Sequence, residues 1–239
     1  MYYDQIRVDV KLGCDVKFKY AGEFISKAIN KAIFYDKELS SRHKTNTFKH
    51  YCFSSFYPPE KDGIYKKEGL YNFDIRSLDS SFIEKIEHFL SVDQNPKFKV
   101  LNIKKTRVKQ FFISELYTVT PTVVSFEDEN EKLYHWTMQR DGDILKLQNA
   151  LQNNVLRKYK SFYGDEPKPM QNFIQLLELK NQKPQTTNYK GIRLFGNKFR
   201  IIPNEDEVSQ KLAFMTLSCG LGEKGSSVGV GFCVGRGMK

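Results

Sequence analysis

The sequence predicts an α+β protein of two tandem ferredoxin-like (RRM-like) domains, the second with a degenerate or missing second helix. Two observations carry this. Residues 3–108 change hydrophobic period in the order strand, helix, strand, strand, helix, strand, which is the order of a ferredoxin-like unit. The rest of the 239-residue chain returns to a mixed helix-and-strand pattern, and that length can bury two small cores. The division falls around residues 109 to 112, giving domains 1–110 and 111–239.

Tyr3 to Leu12 alternates, with Ile6, Val8 and Val10 on one face and Gln5, Arg7, Asp9 and Lys11 on the other, as in a half-buried strand. From Gly22 to Tyr35 the period becomes helical, and Phe24, Ile25, Ala28, Ile29, Ala32 and Ile33 share a stripe. Asp36 to Thr47 is polar and reads as a helix end running into a loop. Phe48 to Phe56 is aromatic and strand-like until Pro58-Pro59 stops it. Leu70 to Ile75 alternates again. Asp79 or Ser80 caps a helix through Leu90, with Phe82, Ile83, Ile86, Phe89 and Leu90 on its apolar side. Lys97 to Val108 supplies the last strand of this unit.

The second half opens on aromatic and β-branched runs between Phe111 and Phe126. Asp141 to Tyr163 is the longest helical pattern, with Ile144, Leu147, Leu151, Val155, Leu156 and Tyr159 inward. The turn Tyr163-Gly164-Asp165-Glu166-Pro167 ends it. Strands are expected near Phe173 to Lys180, Lys190 to Ile202 and Lys211 to Cys219, then over Val230 to Val234. Little room is left for a second helix between Pro203 and Gln210.

Thirty-eight Lys and Arg residues against 28 Asp and Glu leave a net charge of +10. A surplus of this size favours polyanionic partners, nucleic acid first among them. Aromatic residues make up 14% of the chain; most belong in cores, but rings exposed beside cations suit stacking on unpaired bases. Cys14, Cys52, Cys219 and Cys233 form no C-x-x-C pair and read as buried small apolar residues of a reducing compartment. No histidines and carboxylates share metal-ligand spacing, so no metal site is expected. With no signal peptide after Met1 and no apolar run of about 18 residues, the cytoplasm is the expected location and no membrane is a partner.

Leu212 to Gly237 is the most unusual stretch. Gly220, Gly222, Gly225, Gly229, Gly231, Gly235 and Gly237 fall within 18 positions, after an apolar run that reads as a strand. Glycine costs backbone entropy on folding, so such clustering implies positive φ or close backbone approach. Two Gly-apolar-Gly units bracket a polar insert that offers Lys224, Ser226 and Ser227, a surface suited to an extended anionic backbone. The same letters fit the G-x-G-x-x-G of dinucleotide-binding folds. That fingerprint needs a helix opening at Gly225 and an acidic residue about 20 positions on, and neither is expected here. No cofactor motif remains. Arg193, Lys198 and Arg200, with Lys105 and Arg107 from the basic run Lys104 to Lys109, add cations for phosphates. Alternation sends that run to both faces of its strand, so only part of it can meet one ligand.

RNA can be cut without a metal when its own 2′-hydroxyl attacks the adjacent phosphate. Such a site needs a proton acceptor, a proton donor and a cation for the phosphorane charge. Histidine suits the first two roles because it titrates near neutrality. The segment from His43 to Ser54 offers His43, Lys49, His50 and Tyr51 on a stretch entering a strand.

The glycine-rich stretch closely resembles the C-terminal glycine-rich loop of the CRISPR-associated repeat-RNA endoribonucleases, members of the repeat-associated RNA-binding (RAMP) superfamily. His43, Lys49 and Phe53-Ser54 are similar in pattern and spacing to that family's catalytic histidine, its lysine and the strand that follows, and Tyr163-Gly164-Asp165 extends the resemblance. The resemblance implies that His43 transfers a proton, with His50 as the alternative, and that Lys49 stabilises charge. Many members also use a tyrosine of the first helix. Here Asn30 occupies the matching turn, and Tyr35, Tyr51 or no residue fills the role, Tyr35 being the expected candidate. The implied activity is metal-independent cleavage of precursor CRISPR RNA within its repeats, leaving a 2′,3′-cyclic phosphate and a 5′-hydroxyl. The alternative is a repeat-RNA-binding subunit with weak or no catalysis. Implied partners are repeat RNA, other CRISPR-associated effector subunits and a second copy of the chain; no cofactor is implied.

Overall fold

The computed structural model describes residues 1–45, 47–165 and 167–237. The first unit runs β1 (Tyr2–Leu12), β2 (Val16–Lys17), α1 (Phe18–Tyr35), α2 (Lys37–Lys44), β3 (Tyr51–Phe53), β4 (Ile64–Tyr65), β5 (Leu70–Ser77), α3 (Ser80–Val92) and β6 (Phe98–Lys109). Its sheet is ordered β3-β5-β1-β6 with antiparallel neighbours, the ferredoxin-like arrangement. Alternation along β1 puts Ile6, Val8, Val10 and Leu12 into a core shared with α1 and α3. Those helices bury Ile25, Ile29 and Ile33, and Phe82, Ile83 and Ile86. Each large side chain fully buried there contributes about 1.5–3 kcal/mol, so packing rather than helix propensity holds these elements. Asp79 caps α3 by accepting the Phe82 amide at 3.2 Å.

Two local expectations change. The polar stretch after Tyr35 is a separate helix, α2, opened by Asp36, whose carboxylate accepts the Leu39 amide at 2.9 Å. Only Leu39 of α2 is buried, so no apolar stripe announced it. The strand expected over Phe48 to Phe56 shrinks to Tyr51–Phe53, because His50 enters it at φ 53 and breaks the extended backbone.

The second unit runs β7 (Glu115–Thr118), β8 (Ser125–Glu127), β9 (Leu133–His135), α4 (Ile144–Tyr163), β10 (Ile174–Leu179), β11 (Gln185–Tyr189), β12 (Ile192–Gly196), β13 (Phe199–Pro203), α5 (Glu207–Cys219), α6 (Gly225–Val228) and β14 (Cys233–Arg236). Its sheet order, β10-β13-β7-β14, repeats the first. The second helix is neither degenerate nor missing: α5 occupies the segment expected to be a strand. Asp206 caps it by accepting the Ser209 amide at 3.0 Å, and Leu212 to Cys219 are buried all round. A helix apolar on every side has no 3.6-residue stripe, and periodicity cannot separate it from a buried strand.

α4 ends at Tyr163 with Gly164 at φ 85; Glu166, assigned above to that turn, lies outside the described residues. The stretch Lys190 to Ile202 divides into β12 and β13. β11 and β12 form a hairpin through Lys190-Gly191, both at positive φ, and the hairpin packs on α1 of the first unit. Tyr3 and Leu78 of the first unit join the second core. Arg76 fastens the same seam, donating to the Leu217 carbonyl at 3.2 Å and the Cys233 carbonyl at 2.6 Å while standing over the Phe232 ring. Among the described residues no helix is long and apolar enough to cross a membrane.

Candidate active site

α2 ends one turn from the lead-in to β3, and that geometry places His43, Lys49 and His50 around one cleft of about 460 Å³. His43 sits in the last turn of α2 with its ring edge-on to Phe34, centroids 5.7 Å apart. Among the described residues its Nδ1 is buried without a partner. Burial first, then the Lys49 and Lys190 cations, lowers its pKa, so the ring is neutral at neutral pH.

Lys49 caps α2. Its ammonium donates to the Arg42 carbonyl at 2.5 Å, the Thr45 carbonyl at 2.7 Å and Thr45 Oγ1 at 3.4 Å, which uses all three of its protons. Burial and the Arg42 charge hold its pKa below the usual lysine range. His50 packs edge-on against Phe162 at 5.1 Å, its Nε2 is buried without a partner, and burial pulls its pKa down to about 4. A ring so weakly basic and enclosed is poorly suited to proton transfer at neutral pH.

The structure does not bring Tyr35 to His43. Tyr35 closes α1 on its exposed side and stacks on Phe89, centroids 5.7 Å apart. Asn30 donates to Ser26 Oγ at 3.3 Å within α1. Tyr51 does line the cleft, stacked on Phe82 at 4.5 Å with its hydroxyl buried, and burial raises that hydroxyl's pKa.

The glycine-rich loop closes the other side. Gly222 and Gly229 hold φ 73 and φ 70, and a Cβ at either would lie 2.6 Å from the Val123 carbonyl oxygen or the Phe53 ring. Gly220 and Gly231 share the left-handed region. A single helical turn, α6, does open at Gly225, but it follows helix α5 and stops at Val228, so the dinucleotide reading remains set aside. A cavity of about 190 Å³ joins the residues from Thr47 to Tyr51 to Gly222, Lys224 and Ser226. Lys224 is exposed, and Ser226 and Ser227 are half-buried.

The expected phosphate cations divide into paired and unpaired groups. Arg107 holds the buried Asp4 carboxylate with two bonds at 2.7 and 2.8 Å. Arg200 is engaged by Glu115 and Glu178, and Lys105 donates to Glu84 at 3.0 Å. Arg193 is exposed on β12 beside Phe195. Lys198 lines a separate cleft of about 790 Å³ with Arg7, Phe18, Phe56 and Tyr57. Two lysines escaped the sequence reading. Lys190, at the hairpin tip, places its charge near His43. Lys158 lies inside α4, where its spacing from Leu147, Leu151 and Val155 puts it on the apolar stripe, a signal that was available. Among the described residues no group of three or more His, Cys, Asp or Glu could hold a metal ion.

A family model described as CRISPR associated protein Cas6, C-terminal, matches residues 104–234. The CRISPR-associated endoribonuclease Cas6 2 of Methanocaldococcus jannaschii is 28% identical over 243 residues, covering 93% of this chain and 97% of that protein. A solved CRISPR associated protein Cas6 superposes with a TM-score of 0.72 at 24% identity, over 98% of this chain and 99% of the other. The product of a Cas6-related gene from Pyrococcus furiosus gives 0.74 at 21% identity over the same shares. These two likenesses show the fold, and the family model covers more than half of the sequence. The chain belongs to the Cas6 family of CRISPR-associated proteins.

Proposed function

We propose that this chain is an endoribonuclease that cleaves precursor CRISPR RNA within its repeats, without a metal, by attack of a 2′-hydroxyl on the adjacent phosphate. The observation that carries the reading is that Thr47 to Tyr51 line both the cleft holding His43 and the cavity that reaches the Lys224–Ser226 loop of the second unit. A backbone held by the loop would run past His43. There its neutral imidazole can take the 2′-hydroxyl proton and, once protonated, return a proton to the 5′-leaving oxygen. Lys49 supplies positive charge to the phosphorane when phosphate oxygens replace the Arg42 and Thr45 carbonyls on its ammonium. Tyr35 leaves this assignment, since its ring is committed to Phe89. Arg193 and Lys224 are the exposed cations for the RNA backbone, and the aromatic-lined cleft beside Lys198 suits unpaired bases. The domains divide near residue 110, and the protein works in the cytoplasm.

One observation favours a second reading, a repeat-RNA-binding subunit with weak catalysis: every proton of Lys49 is already engaged. Incubation with CRISPR-repeat RNA in EDTA separates the two. The endoribonuclease reading expects a product ending in a 2′,3′-cyclic phosphate, and His43→Ala slower by about a hundredfold or more with little change in affinity. A mobility shift without cleavage supports the binding subunit. Normal cleavage by His43→Ala with loss in His50→Ala would move the proton transfer to His50.

A further inference from the structure

Lys158 stands on the inner face of α4, only 7% exposed. Its ammonium donates to the Gly220 carbonyl at 2.7 Å and to the Gly222 carbonyl at 2.8 Å, at the entrance of the glycine-rich loop. Its hydrogen bonds thus go to carbonyls and not to a carboxylate. Lysine is rarely buried unless its charge is paired, and an apolar side chain could fill the same space at less cost. The neighbouring groups do not balance the charge. Burial raises the thiols of Cys52, Cys219 and Cys233, so they are neutral at physiological pH. Burial lowers the Lys158 pKa, and the Glu223 carboxylate, which works against that, is shared with Ser125, accepting its amide at 3.0 Å and its hydroxyl at 2.8 Å.

The position of the charge is informative. Lys158, Lys49, Lys224 and Ser226 line the same 190 Å³ cavity, together with one carboxylate, Glu223. With the Gly220 and Gly222 carbonyls drawn onto Lys158, the negative ends of those peptides turn inward, away from a ligand above the loop. Bonding to a cation also polarises the loop's peptide groups. Three ammonium groups against one carboxylate leave a positive surplus around this small cavity, which fits an oxyanion such as an RNA phosphate.

We propose that Lys158 is a positioning residue for RNA binding: it fixes the glycine-rich loop through Gly220 and Gly222 and sets positive charge beneath the cavity that receives a phosphate. This rests on the reading of the loop as an RNA-binding element.

Lys158→Met keeps the length of the side chain and removes its charge and donors; Lys158→Gln keeps donors without charge. The full chain is titrated with a labelled CRISPR-repeat RNA, with and without Lys224→Ala in each background. Lys158→Met is expected to melt cooperatively and to bind about tenfold or more weakly. It should raise KM more than it lowers the rate at saturating RNA, and Lys158→Gln should fall between. Lys224→Ala should cost less affinity in the Lys158→Met background than in the wild type, because both act on one anion. Wild-type affinity in Lys158→Met, or strictly additive losses, overturns the proposal. So does the failure of both Lys158 variants to fold, which would make the residue a core anchor alone. If the wild type does not retain the RNA, or Lys224→Ala binds as tightly as the wild type, the reading of the loop itself has failed and Lys158 falls with it.

Discussion

His43 and His50 share one short segment yet meet different surroundings, and the difference decides which can move a proton. His43 ends a helix beside Phe34, whereas His50 is pressed against Phe162 and burial takes its pKa down to about 4. His50 also has a consequence for stability. Its folded-state pKa, about 4, lies below the ordinary value of 6.5, so the unfolded chain binds more protons between those values. The stability tied to the neutral ring is fully present above about pH 6.5 and is lost as the pH falls towards 4. Burial lowers His43 in the same direction. His50→Asn keeps a residue that tolerates φ 53 and removes the titration. Its unfolding free energy should decline less steeply than the wild type's between pH 6.5 and 4, as read from denaturant titrations across that range. An acid limb as steep as the wild type's would show that His50 is not enclosed as described. The roles of these side chains were only partly legible. Residue types offered His43, Lys49, His50 and Tyr51, and the family resemblance singled out His43 and Lys49, but nothing in the letters told that Lys49 bonds the end of α2 or that the Tyr35 ring turns to Phe89.

At the scale of elements, the first unit was readable because β1, α1, β5 and α3 each carry a clean period. α2 and α5 were not, for opposite reasons: one is polar almost throughout and the other apolar on every side. In the glycine-rich loop the clustering itself was a reliable sign, since Gly222 and Gly229 occupy left-handed backbone against close neighbours. Gly229→Val would place a branched side chain at φ 70 against the Phe53 ring. Left-handed strain of roughly 1–2 kcal/mol and overpacking of about 1–3 kcal/mol add in the same place. Calorimetry should therefore show a lower melting temperature, at roughly 2–4 °C per kcal/mol for a chain of this size, together with weaker RNA binding. A variant that melts and binds like the wild type would remove the close approach from the argument.

At the scale of the whole molecule, the proposed site draws on both ferredoxin-like units. The first brings His43 and Lys49, the second brings the loop, and α4 carries Lys158 beneath the cavity where they meet. Net charge pointed to a polyanion, yet it could not say which cations are free. Arg107 faces Asp4, and Arg200 faces Tyr117 and Glu178, across paired strands. Strand register decides those partners, and register is invisible to alternation within one strand. The seam at Arg76 was equally hidden, because it joins segments more than a hundred residues apart. The central claim is that this assembled site makes the RNA cut itself. A single 2′-deoxy nucleotide immediately 5′ of the cut tests it most directly, in single-turnover reactions with the intact protein. The account predicts that this RNA binds as tightly as the all-ribose repeat and is not cut. Cleavage of the deoxy substrate at a comparable rate would mean that water is the nucleophile, and the mechanism proposed for His43 and Lys49 would be wrong.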